Sequence, residues 1–280
     1  MDFSKFSRLI MIEQTLFALP FALIGVLFAG GGTLKIWLWV ITALAAARTA
    51  GMSFNRAIDA KIDARNPRTK DRLIPKGELR PVEAWTTAIV ASVVLIGASF
   101  MLNRLCFYLS FPAVFMLFTY SYFKRFSSSS HFYLGLVEAA APMGGYIAVT
   151  GKFTLVPFVL GLIIMTWIAG LDIVYALVDL DFDRKESLHS IPARLGRKKA
   201  LVLSAICYMF SISAMICAGV LTHMKLPYWI AICFIGIIFF YQQKLARKEN
   251  IALAIKDFFK INMYISPALF FGTLTNVLVK

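Results

Sequence analysis

The feature that most restricts the fold of this 280-residue chain is a series of continuous apolar runs of about 20 residues. A helix needs about 20 apolar residues to cross the ~30 Å hydrocarbon core of a bilayer. Transmembrane strands alternate in polarity and are only about 10 residues long. We therefore predict an all-α polytopic membrane protein, a bundle of nine transmembrane helices forming a single domain over residues 1–280. The predicted spans lie near residues 9–29, 36–54, 84–102, 105–122, 132–150, 154–178, 200–222, 226–243 and 261–279.

The composition agrees with a membrane protein. Hydrophobic residues make up 59% of the chain and charged residues 16%, whereas soluble domains average roughly 45–50% and about 25%. An ordinary soluble domain is therefore excluded. The first apolar run contains Glu13 and has no Ala-x-Ala exit, so we interpret it as a retained helix and not as a cleaved signal.

Positive charges are distributed unevenly among the connections between spans. With the N-terminus inside, the inner connections hold 23 Lys and Arg residues and the outer connections hold five. Cytoplasmic loops carry such an excess, so we predict a cytoplasmic N-terminus and an outer C-terminus. Topology and anionic lipid account for the formal charge of +14, and no nucleic-acid partner is predicted. The two long inner connections, 55–83 and 179–199, hold the main acid clusters.

Polar residues recur at every fourth position where each long connection begins. On a continuous helix this spacing places them on one stripe, about 6 Å apart, where like charges repel unless a cation lies between them. Mg²⁺ takes one or two protein carboxylates and completes its shell with water and phosphate. The pattern therefore predicts divalent-cation sites. The two series are Asn55, Asp59 and Asp63, and Tyr175, Asp179 and Asp183.

The two series are also related by position. Asp59 precedes Asp179 by 120 residues, and Asp63 precedes Asp183 by the same number. Each series follows an even-numbered span, so both enter the cytoplasm in the same direction, and we predict two facing metal sites of one pocket. The alternative is that the acids are helix-end charges that neutralise the basic loops. Ionisable groups at membrane depth favour the functional interpretation.

Cations suited to a diphosphate follow both the first acid series and the fourth span. Arginine binds phosphate oxygens through its planar fork and lysine as a point charge. The alternative for each is ordinary positive-inside charge. The candidates are Arg65 and Arg68 after the first series, and Lys124 and Arg125 beside Tyr120 at the end of the fourth span.

Three further acids, Glu13, Glu138 and Asp172, lie within predicted spans. Asp172 precedes Asp179 by two helical turns and is predicted to line the pocket or orient its ligands. Glu13 and Glu138 fit either substrate binding or a buried structural role.

The cysteines and histidines are too scattered for a metal centre. The cysteines lie in apolar runs without a CxxC pair, so we interpret them as small hydrophobic residues in helices. Of the histidines, only His189 is expected near the chemistry. The residues concerned are Cys106, Cys207, Cys217, Cys233, His131, His189 and His223.

Together these motifs resemble those of the UbiA superfamily of intramembrane aromatic prenyltransferases. The family motif Asn-x-x-x-Asp-x-x-x-Asp is matched at residues 55–63, and Asp-x-x-Tyr-Ala-x-x-Asp-x-x-x-Asp is matched at residues 172–183. Asn-Pro-Arg-Thr at 66–69 and Tyr-x-x-x-Lys-Arg at 120–125 also resemble the family. The predicted nine helices cover the whole chain and agree with the family's helical bundle.

The resemblance implies transfer of a polyprenyl group from a polyprenyl diphosphate to an aromatic acid, with Mg²⁺ as cofactor and the active site under the two long cytoplasmic loops. It implies catalytic roles for the four motif aspartates, which with Asn55 would also bind the metal. The substrate-binding residues that it implies are Arg65, Arg68, Tyr120, Lys124, Arg125, Asp172, Tyr175 and Lys185.

The tracts 66–69 and 185–192 look most like the 4-hydroxybenzoate polyprenyltransferase branch, which implies ubiquinone or menaquinone biosynthesis in a bacterial inner membrane. Within that branch they resemble the group that occurs with menaquinone synthesis, for which a naphthoate-type acceptor stays open. The chain departs from the family at Arg56, where many members have Asp, and at Ser187, where Gly is common.

Two other classes of membrane protein share some of these features. A secondary transporter would also have many spans and intramembrane acids, but its acids would lie near the bilayer midplane. A CDP-alcohol phosphotransferase would need a single compact acid motif with Gly and Ala-Arg at fixed spacing, and this sequence lacks such a motif.

Overall fold

The computed structural model describes residues 2–278, and the side chains of all of these except residues 13–18. Over that part of the chain every regular element is a helix and no strand is present, which confirms the all-α prediction. The helices are α1 (Phe3–Ile10), α2 (Ile12–Phe28), α3 (Leu34–Ile58), α4 (Ala60–Arg65), α5 (Pro81–Leu102), α6 (Arg104–Phe123), α7 (Ser130–Thr150), α8 (Leu155–Ala176), α9 (Leu180–Lys185), α10 (Ile191–Leu221), α11 (Leu226–Ala246), α12 (Ile251–Asn262) and α13 (Ile265–Leu278), with a 3₁₀ turn at Leu177–Asp179.

Among the described residues, seven helical segments have the length and apolar character needed to cross a membrane. They contain α3, α5, α6, α7, α8, α10 and α11, and the chain is a multi-pass membrane protein. The first and last predicted spans fall on α2, of 17 residues, and on α13, of 14 residues. Both helices are shorter than the seven, so the count of nine spans stays a prediction.

Two predicted span boundaries are wrong. The first span, 9–29, is interrupted at Met11, whose φ of 51° ends α1. The last, 261–279, begins within α12, and the helix breaks at residues 263–264 before α13 starts. Hydropathy alone does not show these breaks because apolar residues continue on both sides of each.

The chain divides into two compact units, and the first consists of Met1–Leu19 and Thr33–Tyr122. Its centre is the contact between α3 and α5, where Ala50 and Ala88 are fully buried. The ring of Phe54 packs edge to face on Trp85 and on Phe118 beside them, with centroids 5.8 and 5.5 Å apart. Small residues at the contact let the helices approach closely, as is common in membranes.

The second unit consists of Pro20–Gly32 and Phe123–Lys280, with α8 packed between α7 and α10. Trp167 of α8 is fully buried, and its indole N–H donates to Asn262 Oδ1 at 3.2 Å. Gln242 of α11 donates to the same oxygen at 3.1 Å. This hydrogen-bond network ties α8 and α11 to the last residue of α12, immediately before the helix breaks.

Gly135 sets the distance between α7 and α8, because a Cβ there would collide with the backbone carbonyl of Met165. We expect Gly135→Ala to destabilise the protein by about 1–3 kcal/mol, the usual cost of overpacking a rigid contact. Gly144→Ala on the same helix is the matched control, since a Cβ there meets nothing within 4 Å. Thermal unfolding in detergent measures both, and equal melting temperatures for the two variants would contradict this account.

Candidate active site

The first acid series is not on one continuous helix. Helix α3 ends at Ile58, and Asp59 (φ −89°, ψ 3°) joins it to α4. The backbone hydrogen bonds nevertheless continue at the four-residue spacing, from Asp59 N–H to Asn55 O at 2.9 Å and from Asp63 N–H to Asp59 O at 2.8 Å. The prediction of a continuous helix is therefore wrong at Asp59, while the one-turn spacing of the three residues is kept.

The second acid series has the same local structure. Helix α8 ends at Ala176, a 3₁₀ turn follows, and Asp179 (φ −99°, ψ 8°) leads into α9. In each unit the middle aspartate precedes a six-residue helix, and the last aspartate is the fourth residue of that helix. Neither middle aspartate accepts a capping hydrogen bond from the helix that follows it. The two acid series, which are 120 residues apart, therefore also share their backbone geometry.

Asn55 connects the first acid series to α6. Its amide Nδ2 donates to Asp59 Oδ2 at 2.8 Å and to Ser121 Oγ at 3.2 Å. Its amide oxygen accepts from Arg56 Nη1 at 3.3 Å. Arg56 is buried, and its other terminal nitrogen lies 3.0 Å from Met11 Sδ. Arg56 therefore places a fixed cation beside the first motif.

Asp63 is paired with an arginine of the basic loop. Arg72 Nη1 lies 2.7 Å from both carboxylate oxygens of Asp63. The aspartate is buried, and its backbone carbonyl accepts from Thr69 Oγ1 at 3.0 Å. The sequence did not predict this pair, because a nine-residue separation has no helical periodicity.

The basic loop after α4 is ordered by apolar and ionic contacts with α1. Leu9 and Ile10 are buried in one cluster with Leu73 and Leu79. Arg8 Nη1 lies 2.7 Å from a carboxylate oxygen of Glu78, and this hydrogen bond lowers the pKa of Glu78. Helix α1 thus fixes the loop that supplies Arg72.

The second acid series contacts the start of α10. Asp183 is buried, interacts with the Ser190 side chain and lies within electrostatic range of Lys124 and Asp179. Sequence reasoning missed Ser190, which also caps α10 by accepting from Ala193 N–H at 3.3 Å. Lys124, a predicted substrate-binding residue, is therefore close to the last acid of the motif.

The prediction that only His189 lies near the chemistry is wrong. His131 Nδ1 is 2.7 Å from Asp172 Oδ2, and its Nε2 accepts from Ile191 N–H at 3.1 Å. The sequence separation of 41 residues between His131 and Asp172 explains why the pair was missed. His189 is exposed, although its backbone N–H donates to Lys124 O at 2.7 Å.

The turn after α9 holds Ser187 in a backbone conformation that favours glycine. Ser187 has φ 53°, a left-handed conformation that costs a residue with a Cβ about 1–2 kcal/mol. We expect Ser187→Gly to stabilise the protein by about 0.5 kcal/mol, after the greater backbone entropy of glycine is subtracted. Ser187→Ala keeps the Cβ and should give no such gain. A rise in melting temperature for alanine equal to that for glycine would contradict the explanation.

The other predicted residues occupy varied environments. Tyr120 is half-buried and lies within electrostatic range of Asp59. The Tyr175 ring packs edge to face on Phe259, with centroids 5.2 Å apart. Glu138 is half-buried, whereas the side chain of Glu13 lies outside the described part of the chain. The predicted cations on the surface are Arg65, Arg68, Arg125 and Lys185.

The donor atoms of both motifs fit a hard divalent cation. Within the described residues, no group of three or more His, Cys, Asp or Glu side chains gathers in a way that could by itself hold a metal ion. Each motif offers carboxylate oxygens in small number, which suits Mg²⁺, because that ion takes one or two carboxylates and completes its shell with water and substrate phosphate. The two motifs do not by themselves provide a complete set of protein ligands for a metal ion.

The family model described as UbiA prenyltransferase family matches residues 18–264. This chain is a member of the UbiA prenyltransferase family. It is 30% identical over 243 residues to the 4-hydroxybenzoate octaprenyltransferase of Shewanella woodyi, covering 86% of this chain and 84% of that protein. It is 28% identical over 248 residues to the enzyme of the same name from Pectobacterium carotovorum, covering 88% and 86%. The prediction of a prenyltransferase is confirmed.

Solved UbiA structures have the same fold. The apo structure of a UbiA homologue from Aeropyrum pernix superposes with a TM-score of 0.87 at 28% identity, covering 94% of this chain and 98% of that one. A UbiA homologue from Archaeoglobus fulgidus bound to DMAPP and Mg²⁺ has a TM-score of 0.75 at 16% identity, covering 99% and 100%. The second likeness shows the fold alone. The membership of the family does not depend on it.

Proposed function

We propose that this UbiA-family prenyltransferase transfers a polyprenyl group from a polyprenyl diphosphate to an aromatic acid of the 4-hydroxybenzoate kind, with Mg²⁺ as cofactor. The observation that carries the proposal is the shared geometry of the two acid motifs. Relatives named 4-hydroxybenzoate octaprenyltransferase support the choice of donor and acceptor. The UbiA homologue bound to DMAPP and Mg²⁺ supports the choice of cofactor.

The metal ligands in this proposal are oxygen atoms of the two motifs. Asn55, Asp59 and Asp63 serve the first, and Asp179 and Asp183 serve the second. Bound Mg²⁺ would supply positive charge that stabilises the departing diphosphate. To contribute to a metal site, Asp63 would have to give up its contact with Arg72. Arg56 already compensates part of the negative charge there.

Cations on the connections bind the diphosphate. Lys124, close to Asp183, is positioned to hold a phosphate oxygen once a substrate is bound at the second motif. Four of the predicted cations have exposed side chains, so they can contact a charged ligand from the surface. They are Arg65, Arg68, Arg125 and Lys185. Asp172, Tyr120 and Tyr175 orient the substrates. Charge-assisted hydrogen bonds of this kind are the strong ones in phosphate recognition.

The chemical step breaks the bond between the allylic carbon and the diphosphate oxygen, and the electron pair leaves with the diphosphate. A ring carbon of the aromatic acid then forms the new carbon–carbon bond, and the ring loses a proton. Water would quench the allylic cation before the acceptor reacts. The apolar residues of the spanning helices must therefore exclude solvent. The long apolar tail needs a path into lipid, which membrane-spanning helices offer.

The acceptor carboxylate needs a cation at the depth of the ring. Arg48 is a half-buried residue of α3, located two turns before Asn55, and it lies within electrostatic range of Tyr120. Ionisable residues inside a membrane span are functional candidates. We assign Arg48 to bind the carboxylate of the acceptor. Both 4-hydroxybenzoate and a naphthoate-type acid carry such a carboxylate. The product would be a quinone precursor of the ubiquinone or menaquinone pathway.

The excess of Lys and Arg in the inner connections supports a cytoplasmic N-terminus and a cytoplasmic active site in a bacterial inner membrane. The polyprenyl diphosphate would then be bound with its charged end at the cytoplasmic face.

Purified protein in detergent, given a radiolabelled allylic diphosphate and Mg²⁺, tests the proposal. 4-Hydroxybenzoate and a dihydroxynaphthoate are offered in parallel, each with and without EDTA. We expect labelled product with one of the two acids, and none in EDTA. Absence of product with both acids, from protein shown to be folded, would reject the acceptor class, and failure to bind the diphosphate as well would reject the donor.

A further inference from the structure

His131 links two parts of the second motif that are distant in sequence. The residue is 3% exposed and lies at the start of α7. One ring nitrogen contacts the Asp172 carboxylate at 2.7 Å, and the other contacts the backbone N–H of Ile191 at 3.1 Å. Asp172 belongs to α8, and Ile191 is the first residue of the short helical segment that opens α10, before the kink at Gly196 (φ 76°, ψ 165°).

The backbone contact fixes the protonation pattern of the ring. A backbone N–H can only donate, so Nε2 of His131 must accept and carries no proton. With Nε2 as the acceptor, the ring N–H at Nδ1 donates to Asp172 Oδ2. One nitrogen thus orients a carboxylate, and the other satisfies a buried helix terminus.

The same contact completes the N-terminus of α10. The first backbone amides of a helix have no partner within it. Here Ile191 N–H donates to His131, Pro192 has no N–H to satisfy, and Ala193 N–H donates to Ser190 Oγ. Ser190 is also the side chain that contacts Asp183. Moving the start of α10 would therefore move a partner of the last acid of the motif.

The preceding turn is held in the same way. Leu188 N–H donates to Asp183 O at 2.8 Å, and His189 N–H donates to Lys124 O at 2.7 Å. The segment from 183 to 191 therefore forms hydrogen bonds with Asp183 of its own motif, with Lys124 after α6 and with His131 of α7. His131 supplies the side-chain contact at the end of this segment.

We propose that His131 is a positioning residue for the second acid motif, acting through Asp172 and through the start of α10. The proposal rests on the proposed function, in which Asp172 orients substrate and Asp179 and Asp183 bind metal. Partners of this kind orient groups that bind metal, and removing them typically lowers metal affinity or activity by 10–100-fold. His131 itself touches neither substrate nor metal in this scheme.

Three substitutions separate the two contacts. His131→Asn places an amide N–H near the position of Nδ1 and keeps a donor for Asp172, but does not reach Ile191. His131→Gln extends to the position of Nε2 and keeps an acceptor for Ile191 N–H. His131→Phe keeps a ring and loses both contacts. Ser211→Ala is the control, because it removes a buried side-chain hydrogen bond of 3.0 Å to Ile163 O elsewhere on α10.

The first readout is hydrogen–deuterium exchange of the peptide covering residues 186–194, without substrate or metal. We expect exchange to rise about tenfold in His131→Phe and His131→Asn, and to stay near the wild-type rate in His131→Gln and Ser211→Ala. The second readout is the Mg²⁺ concentration that gives half-maximal prenyl transfer, which we expect to rise about tenfold in His131→Phe and not in the control.

Wild-type exchange and wild-type Mg²⁺ dependence in folded His131→Phe would overturn the proposal. If that variant does not fold, equal exchange in the Asn and Gln variants would overturn it. Faster exchange with an unchanged Mg²⁺ requirement would reject the link from His131 to the motif. Absence of transfer by the wild-type protein would instead reject the proposed function, while the exchange measurement would still test the contact with Ile191.

Discussion

Asp59→Asn and Asp179→Asn are each expected to lower the rate of prenyl transfer about a thousandfold, equivalent to about 4 kcal/mol of transition-state stabilisation. Both variants keep the shape of the side chain and remove its charge, so the site would bind Mg²⁺ poorly. Asn at position 59 can still accept the hydrogen bond that Asn55 donates to Asp59 Oδ2 at 2.8 Å. The loss should therefore come from metal binding and not from unfolding.

Two exposed acids close to the motifs serve as matched controls. Asp181 lies between the two acids of the second motif, and Asp71 lies in the basic loop, where its partner is Lys76 at 3.4 Å. Asp181→Asn and Asp71→Asn remove the same charge from solvent-exposed positions and should transfer at close to the wild-type rate. The measurement is initial rate at saturating donor and acceptor. Full activity in both motif variants would reject the metal sites.

Arg72→Met is expected to destabilise the protein by about 3 kcal/mol, the cost of leaving one member of a buried ion pair without its partner. The Asp63 side chain is 9% exposed and the Arg72 side chain 26%, so the lower end of the usual range applies. If Asp63 is a metal ligand, Mg²⁺ can replace the lost cation. Mg²⁺ should then raise the melting temperature of Arg72→Met more than that of the wild-type protein.

Lys76→Met is the control for this experiment. Lys76 and its partner Asp71 are largely exposed, at 44% and 68%, and such pairs contribute little to stability. The control should melt like the wild type with and without Mg²⁺. An equal response to Mg²⁺ in Arg72→Met and in the wild type would remove Asp63 from the proposed metal ligands. It would leave Asp59 and Asn55 in that set.

The sequence predicted the features that depend on local periodicity. Apolar runs located the seven long helices, because burial in lipid needs about 20 apolar residues wherever they occur. The four-residue spacing located Asp59 and Asp179, because successive turns of a helix repeat at that interval. Both predictions depend on neighbours in the chain, and a single sequence contains that information.

The features that were missed depend on contacts between distant residues. The pair of His131 with Asp172 joins α7 to α8, and the pair of Asp63 with Arg72 depends on the path of a loop. Neither pair has a sequence period. The helix breaks at Asp59 and Asp179 were missed for another reason, since aspartate is only a mildly unfavourable helix residue and neither position contains Gly or Pro.

The shortness of α4 and α9 has a consequence for how this enzyme can diverge. A six-residue helix does not form in isolation, because its few hydrogen bonds do not offset the cost of nucleation. Each of these helices therefore owes its existence to the connection that follows, through Arg72 and Thr69 in one case and through Ser190 in the other. The last acid of each motif is consequently set by residues outside the motif. With Mg²⁺ bound by the motif acids as proposed, substitutions in the connections would change metal affinity while every motif residue stays the same. Homologues with identical acid motifs then need not share the same requirement for Mg²⁺.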